Sequence, residues 1–519
     1  MNLSRISILS ILFLALGSSV YAQKENVDTA AFRKIRNAEL NSSQVEMIAH
    51  YLTDVSGSRL TNSPGFFRAA NWAVETMKKW GLTNGAFEPY GEFGRGWEQE
   101  EFSISMKVPY QGYIVGYPLP YSVSTNGEVR GQVYPITFND IFDPGFVDKH
   151  QADIKGKILL LSGGGKRGDD FKPFSTRYAD TSLLKMPDAD MMTRKEMEED
   201  LKFLAIIDAT KAKLKAAGVL ALIQVDGGNR DGTVLVQNFT GYKTNTPEGV
   251  PEAQISSEDG LKIKRLLASG HPVELALNIK GKFYTADTKG YNVVAEIPGT
   301  DPKLKAQVVM LGGHLDSWNA ATGATDNGAG CIVMMEAVRL LDSLHLKPKR
   351  TIRIALWSGE EQGLFGSYGY VLKHFGNAET GVIKPEQATV SAYFNLDNGT
   401  GKIRGVYAQG NKAIAPIFEQ WLKPFHDLGA KTVTMSNTGS TDHLSFDWDG
   451  IPGFQFIQDP LDYESKTHHT NMDTYDYLQM DDLKQAAIIV ASFVYQSANR
   501  PDMLPRKKIV KEKFVFDGL

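Results

Sequence analysis

From Tyr291 onward the chain alternates two kinds of segment. Apolar runs at 292–297, 308–311, 351–357, 390–396 and 453–457 are separated by stretches of helical spacing near 331–344, 413–425 and 483–498. Strands alternating with helices specify an α/β fold built on a doubly wound sheet. In such a sheet the loops beyond the carboxyl ends of the strands converge, and reactive side chains gather there. Four of these ends carry histidine or carboxylates. The run 308–311 is followed by Gly312-Gly313-His314-Leu315-Asp316, with Asp326 ten residues later among Gly and Ala. The run 351–357 leads into Ser358-Gly359-Glu360-Glu361, the run 390–396 into Asp397, and His468-His469 lie beyond the last run.

The remainder of the 519 residues has a different texture. Ser63-Pro64-Gly65 opens a segment in which Phe66, Ala70, Ala73, Met77 and Trp80 recur at helical spacing until Gly81 stops it. Between about 128 and 288, short β-like runs (129–136, 157–161, 219–224, 273–279) and one charged helical stretch (193–216) read as an inserted, separately folded module. The expected organisation is a signal peptide at 1–22, a first catalytic part at 23–127, the insertion at 128–288, a second catalytic part at 289–503 and a loosely packed tail at 504–519. The signal rests on Arg5, an apolar run at 6–16 and small residues ending at Ala22. That run is too short, and too interrupted by Ser7 and Ser10, for a membrane span of about 18 or more apolar residues. The chain is therefore expected to be exported, secreted or periplasmic, with no membrane span once the signal is removed.

Composition narrows the chemistry. Fifty-six Lys+Arg against 60 Asp+Glu gives a net charge of −4, so the basic excess of a nucleic-acid binder is missing. Cys331 is the single cysteine, which excludes an intramolecular disulfide and any cysteine-built zinc site. A metal would have to be held by His and carboxylate, a donor set suited to zinc with cobalt or manganese as substitutes. A carboxylate shared by two ions, with one His and one acid more for each, would make a hydrolytic centre with ions about 3.5–4 Å apart. Asp316, two residues from His314, is placed to accept that ligand's other ring N–H. Glu360 and Glu361 allow one carboxylate to hold metal and its neighbour to act as general base. The other histidines, including His374, read as solvated, and Cys331 as a small core residue. Competing signatures fail: Gly163-Gly164-Gly165-Lys166 lacks the spacing and hydroxyl of a phosphate loop, and neither G-x-S-x-G nor H-E-x-x-H occurs.

These motifs in this order resemble the co-catalytic zinc exopeptidases, a family typified by secreted bacterial aminopeptidases. The resemblance is strongest to the family's carboxypeptidase Q branch, through 52–60, 348–357 and 502–506 as well as the strand-end motifs. It implies a mixed sheet flanked by helices, of the phosphorylase/hydrolase-like kind, interrupted by a β-rich protease-associated domain. It also implies two zinc ions, one on His314, Asp326 and Asp397 and the other on Asp326, Glu361 and His469. Glu360 would be the general base, Asp316 would orient His314, and Asp442, His443 and His468 would stand near a peptide substrate. The implied activity is hydrolysis of dipeptides or short peptides by an amino-, carboxy- or dipeptidase, and a homodimer is compatible with it. Two alternatives remain: an acyltransferase of the glutaminyl cyclase type, and a non-catalytic, receptor-like binding protein.

Overall fold

The computed structural model describes residues 25–143, 145–163, 171–187, 194–225 and 228–507. The expected signal at 1–22, most of the glycine-rich 163–166 segment and the tail beyond 507 lie outside them. Two eight-stranded sheets organise the rest. The first runs, edge to edge, Thr83–Glu92, Lys289–Ile297, Thr351–Trp357, Val308–His314, Val390–Asn395, Gly453–Gln458, Ile403–Tyr407 and Thr432–Thr434. Its four central strands are parallel, from Thr351–Trp357 to Gly453–Gln458. Antiparallel partners flank them on both sides. The expected doubly wound, mixed sheet is therefore the one observed.

A central strand has two faces to cover, and the residues alternate accordingly. Val309 and Leu311 pack into one core, beneath helices Pro64–Trp80, Ala329–Ser343 and Met480–Asn499. Val308 and Met310 point the opposite way, into a core closed by helices Phe365–His374 and His443–Trp448. Helix Pro64–Trp80 has the bounds its sequence dictates. The Ser63 hydroxyl accepts the Phe66 N–H, Pro64 fits the first turn, and Gly81 closes the helix at φ +107°, where a side chain would be strained. Of its apolar stripe, Phe66, Ala70, Ala73 and Met77 are buried and Trp80 is half-buried.

The second sheet begins earlier than the composition change at 128 suggested. Strands Gly96–Val108, Gly112–Tyr113 and Gly116–Pro118 belong to it, the first paired along nearly its whole length with Glu274–Tyr284. The chain thus leaves the first sheet after Glu92 and re-enters it at Lys289. Residues 96–127, assigned from sequence to the catalytic part, instead hydrogen-bond into the second sheet. The reason is pairing: the partner of Gly96–Val108 lies about 180 residues away, at a distance no local pattern reports.

The end of the described chain is also held more tightly than expected. Leu504 is buried and its N–H donates to the Ser391 hydroxyl. Arg506 donates to the carbonyls of Gln387 and Val390, and Lys507 pairs with Asp447 at 2.6 Å. His374, expected to be solvated, is half-buried between Glu88 (2.5 Å) and Glu386 (3.1 Å), which raise its pKa against the opposing effect of burial. Among the described residues no helix is long and apolar enough to cross a membrane.

One buried cluster sets a pH dependence. Glu39 and Glu336 are fully buried and share a single guanidinium: Arg339 binds Glu336 at 2.5 Å but lies 4.0 Å from Glu39. Burial, then the contact with Glu336, pushes the Glu39 carboxyl up to about 8. An acid whose pKa rises on folding stabilises the fold fully below its unfolded value, and that contribution is lost as pH climbs through the folded value. Thermal melting of the native chain should therefore weaken between about pH 4.5 and 8. Glu39→Gln should remove that part of the slope, melting higher than the native chain at pH 8–9. Parallel melting curves for the two proteins across this range would refute it.

Candidate metal centre

The four parallel strands deliver their carboxyl ends to one point. His314 is the last residue of its strand, Glu360 and Glu361 follow Thr351–Trp357, and Asp397 follows Val390–Asn395. Asp326 comes from the tight turn Ala324–Gly328 that precedes helix Ala329–Ser343. Two glycines permit this convergence. A Cβ on Gly330 would lie 2.1 Å from the Leu396 carbonyl, so only glycine lets the helix start against the strand that carries Asp397. Gly323 has φ +61° and would drive a Cβ to 2.2 Å from Ser317. His469 arrives from the loop after Gly453–Gln458 with φ +57°, a conformation uncommon for a residue with a side chain and concentrated at functional sites.

Asp326 is the hinge of the arrangement. Its Oδ1 lies 3.3 Å from His314 Nε2, which is also 3.4 Å from Asp397 Oδ1. Its Oδ2 faces the other way, 3.2 Å from His469 Nε2, which is 3.0 Å from Glu361 Oε2. Donor atoms bound at about 2.0–2.1 Å around a tetrahedral zinc stand about 3.3 Å from one another. The two sets have that spacing. Both histidines engage Nδ1 elsewhere, so each Nε2 turns its lone pair toward the carboxylates: His314 Nδ1 is 3.0 Å from the Asp316 carbonyl, and His469 Nδ1 is 2.6 Å from Gln237 Oε1. Asp326 Oδ2, Asp397 Oδ1 and Glu361 Oε1 are buried without a well-directed hydrogen bond. Lone pairs converging in a buried space repel unless a cation or a proton sits among them. The residues fit a pair of divalent ions sharing Asp326.

The titration behaviour reports the same demand for positive charge. Burial alone would lower the His314 pKa, but Glu360 and Asp397 overcome it and hold it well above the ordinary value. His469 is raised likewise against burial, chiefly by Glu361. Burial opposes ionisation of Asp326, yet its contacts with the two histidines hold it well below the usual carboxylate range. Glu361 is pushed up to about 7 by burial and by Asp326. Glu360 is raised well above the carboxylate range by burial and by Asp397, Asp442 and Glu361. Its Oε2 is 3.8 Å from His314 Nε2, farther than the oxygens of Asp326 and Asp397 at 3.3 and 3.4 Å, though near enough to group with His314 and Asp397.

Asp316 behaves differently from expectation. Its backbone carbonyl, not its carboxylate, receives the His314 Nδ1–H, the carboxylate oxygen being 3.7 Å away. The carboxylate instead accepts the Thr61 hydroxyl at 3.0 Å and the N–H groups of Glu360 and Glu361 at 3.4 and 3.3 Å. It positions the Glu-Glu turn, because that turn's unpaired N–H groups present the stronger claim on a buried anion. Of the expected substrate neighbours, His468 is one-third exposed at the rim, its ring 3.8 Å from that of His469 and its Nε2 3.8 Å from Asp326. Asp442 is fully buried, its carboxyl pushed up to about 8 first by burial, with Asp397 adding to the rise. His443 is buried with Nε2 against Thr438 and Gln409, and burial lowers its pKa to about 4. His443 is thus enclosed, unlike His468 at the rim. Cys331 is the small core residue expected, its Sγ donating to the His314 carbonyl at 3.0 Å.

Several supports were not legible as functional residues. Arg59 is fully buried and donates to the carbonyls of Leu52, Leu315, Thr322 and Gly323, lacing together the segments that carry His314 and Asp326. Asp473 accepts the N–H groups of Thr325 (2.5 Å) and Asp326 (3.1 Å). Their only sequence signal was membership in the 52–60 segment and in the His-rich one.

Comparison with known proteins bears on this geometry directly. Residues 292–494, which supply every donor above, match the model of Peptidase family M28. The stretch that carries the donors is thus similar to peptidase family M28. Its match to carboxypeptidase Q of Bos taurus is 28% identical over 456 residues, covering 88% of this chain and 85% of that protein. With carboxypeptidase Q of Mus musculus it is 27% identical, over 95% of this chain and 97% of the relative. Among solved structures, an M28 peptidase precursor from Shewanella amazonensis superposes with a TM-score of 0.69 at 23% identity, covering 92% of this chain and 98% of that one. A zinc aminopeptidase from Bacillus subtilis superposes at 0.55 with 22% identity, over 88% and 95%. The M28 fold is thus shared through both sheets.

Proposed function

We propose that this chain is an exported M28-type exopeptidase with two zinc ions, hydrolysing dipeptides or short peptides as its carboxypeptidase Q-like sequence suggests. The observation that carries the reading is the division of Asp326 between two His-carboxylate sets, Oδ1 with His314 and Asp397, Oδ2 with His469 and Glu361. Two ions held there would supply Lewis acidity toward the scissile carbonyl and toward a water molecule. Glu360, outside both donor sets, takes the proton of the attacking water and returns it to the leaving amine. Asp316 fixes the turn from which Glu360 projects. The negative pocket around Asp397 and Glu360 suits a free α-amine, which favours unblocked substrates.

Metal content by mass spectrometry, run together with free amino acid release from a panel of dipeptides, tests the proposal. Two zinc equivalents and amino acid release are expected, chelation silencing the enzyme and zinc or cobalt restoring it. A free dipeptide, a longer peptide and an N-acylated dipeptide separate the specificities. Cleavage of the acylated one alone would overturn the preference for a free amine. One equivalent with ammonia released from N-terminal glutamine would establish the cyclase alternative instead, and a metal-free, inert protein the receptor-like one.

A further inference from the structure

His469 is held from behind by the second-sheet unit. Gln237 lies between strands Ala221–Val225 and Glu252–Ile255 of that unit, 232 residues away in sequence, and its Oε1 is 2.6 Å from His469 Nδ1. A carbonyl oxygen only accepts, so this contact places the ring hydrogen on Nδ1 and leaves the Nε2 lone pair toward Asp326 and Glu361. The same stretch grips the backbone around it. The Val236 N–H donates to the His469 carbonyl at 2.8 Å. Val234 and Asn471 exchange two more bonds, of 2.7 and 3.1 Å, across an antiparallel bridge between Leu235 and Thr470. Phe239 meets the Trp318 ring edge to face at 5.6 Å, and Trp318 meets His469 at 5.9 Å. The left-handed backbone of His469 is thus over-determined from a part of the chain that contributes no metal donor.

We infer that Gln237 is a positioning residue for the metal at His469, setting the tautomer and angle of that ligand, and that the inserted unit is a working part of the metal centre. The inference rests on the two-metal reading above. Partners of this kind contribute about 10–100-fold to metal affinity.

Equilibrium dialysis against chelator-buffered zinc, with bound metal counted by mass spectrometry, separates the possibilities. The native full-length chain should fill two positions. Gln237→Ala should weaken one by about 10–100-fold while the other keeps its native affinity. Gln237→Leu, closer in volume, should do the same and serves if the alanine variant folds poorly. Gln237→Glu keeps an acceptor at the same reach and should restore binding; restoration by glutamate but not by leucine is what a purely packing role would not predict. Native affinity at both positions in the alanine and leucine variants would overturn the inference, as would a glutamate variant no better than alanine. A native chain that fills fewer than two positions would instead sink the two-metal reading itself, and this inference with it.

Discussion

Glu360→Gln should leave both metal positions filled and lower turnover by about 10²–10⁴-fold. The glutamine has nearly the same shape and keeps the backbone N–H that Asp316 accepts, so positioning survives and only proton transfer is lost. The expectation follows from division of labour within the Glu-Glu pair. Glu361 lies 3.0 Å from His469 Nε2 and is almost fully enclosed, whereas Glu360 remains one-tenth exposed and stands 3.8 Å from His314 Nε2. Metal content and kcat measured on the same preparation check it. Turnover within tenfold of the native enzyme would remove Glu360 from its role, and loss of one metal equivalent would make it a ligand instead.

Asp326→Ala should have the widest effect on metal binding. Because its two oxygens serve different histidines, its removal strips a donor from both positions, each weakened by more than the about 10–100-fold of an outer hydrogen-bonding partner. Asp397→Ala is the control: its carboxylate faces His314, so one equivalent should be lost and the other retained. Dialysis followed by metal analysis distinguishes the two patterns. An Asp326→Ala protein that keeps one full equivalent would contradict the sharing of this carboxylate. Removing a buried anion also unbalances His314 and His469, whose raised pKa values depend partly on it. The metal-free variant should therefore melt differently from the native apoprotein.

Strand ends were the most legible part of this chain. Thr351–Trp357 has the bounds read from its apolar run, and helix Pro64–Trp80 those read from its caps, because each depends on neighbours within one or two turns. Three of the proposed donors, His314, Glu361 and Asp397, sit at or just beyond such a run, whereas Asp326 and His469 lie in loops ten or more residues past a strand. Three of the differences from expectation involve distance along the chain. Gly96–Val108 was misplaced because its partner is Glu274–Tyr284. Residues 504–507, the described start of the tail, are held by groups that belong to other elements, Ser391, Gln387 and Asp447. His374 is enclosed, not solvated, because Glu88 approaches it from another strand.

What the sequence by itself determined is the inventory: His and carboxylate without cysteine, delivered at the carboxyl ends of parallel strands. Tertiary structure alone decided how the inventory is used. It turned Asp326 so that its oxygens part company, gave the His314 ring hydrogen to a carbonyl rather than to the Asp316 carboxylate, and brought Gln237 and Arg59 behind the ligands. The physical reason is that a ligand's identity is a property of one residue. Its protonation and direction are properties of whatever packs against it, which in a folded chain is set by contacts far apart in sequence.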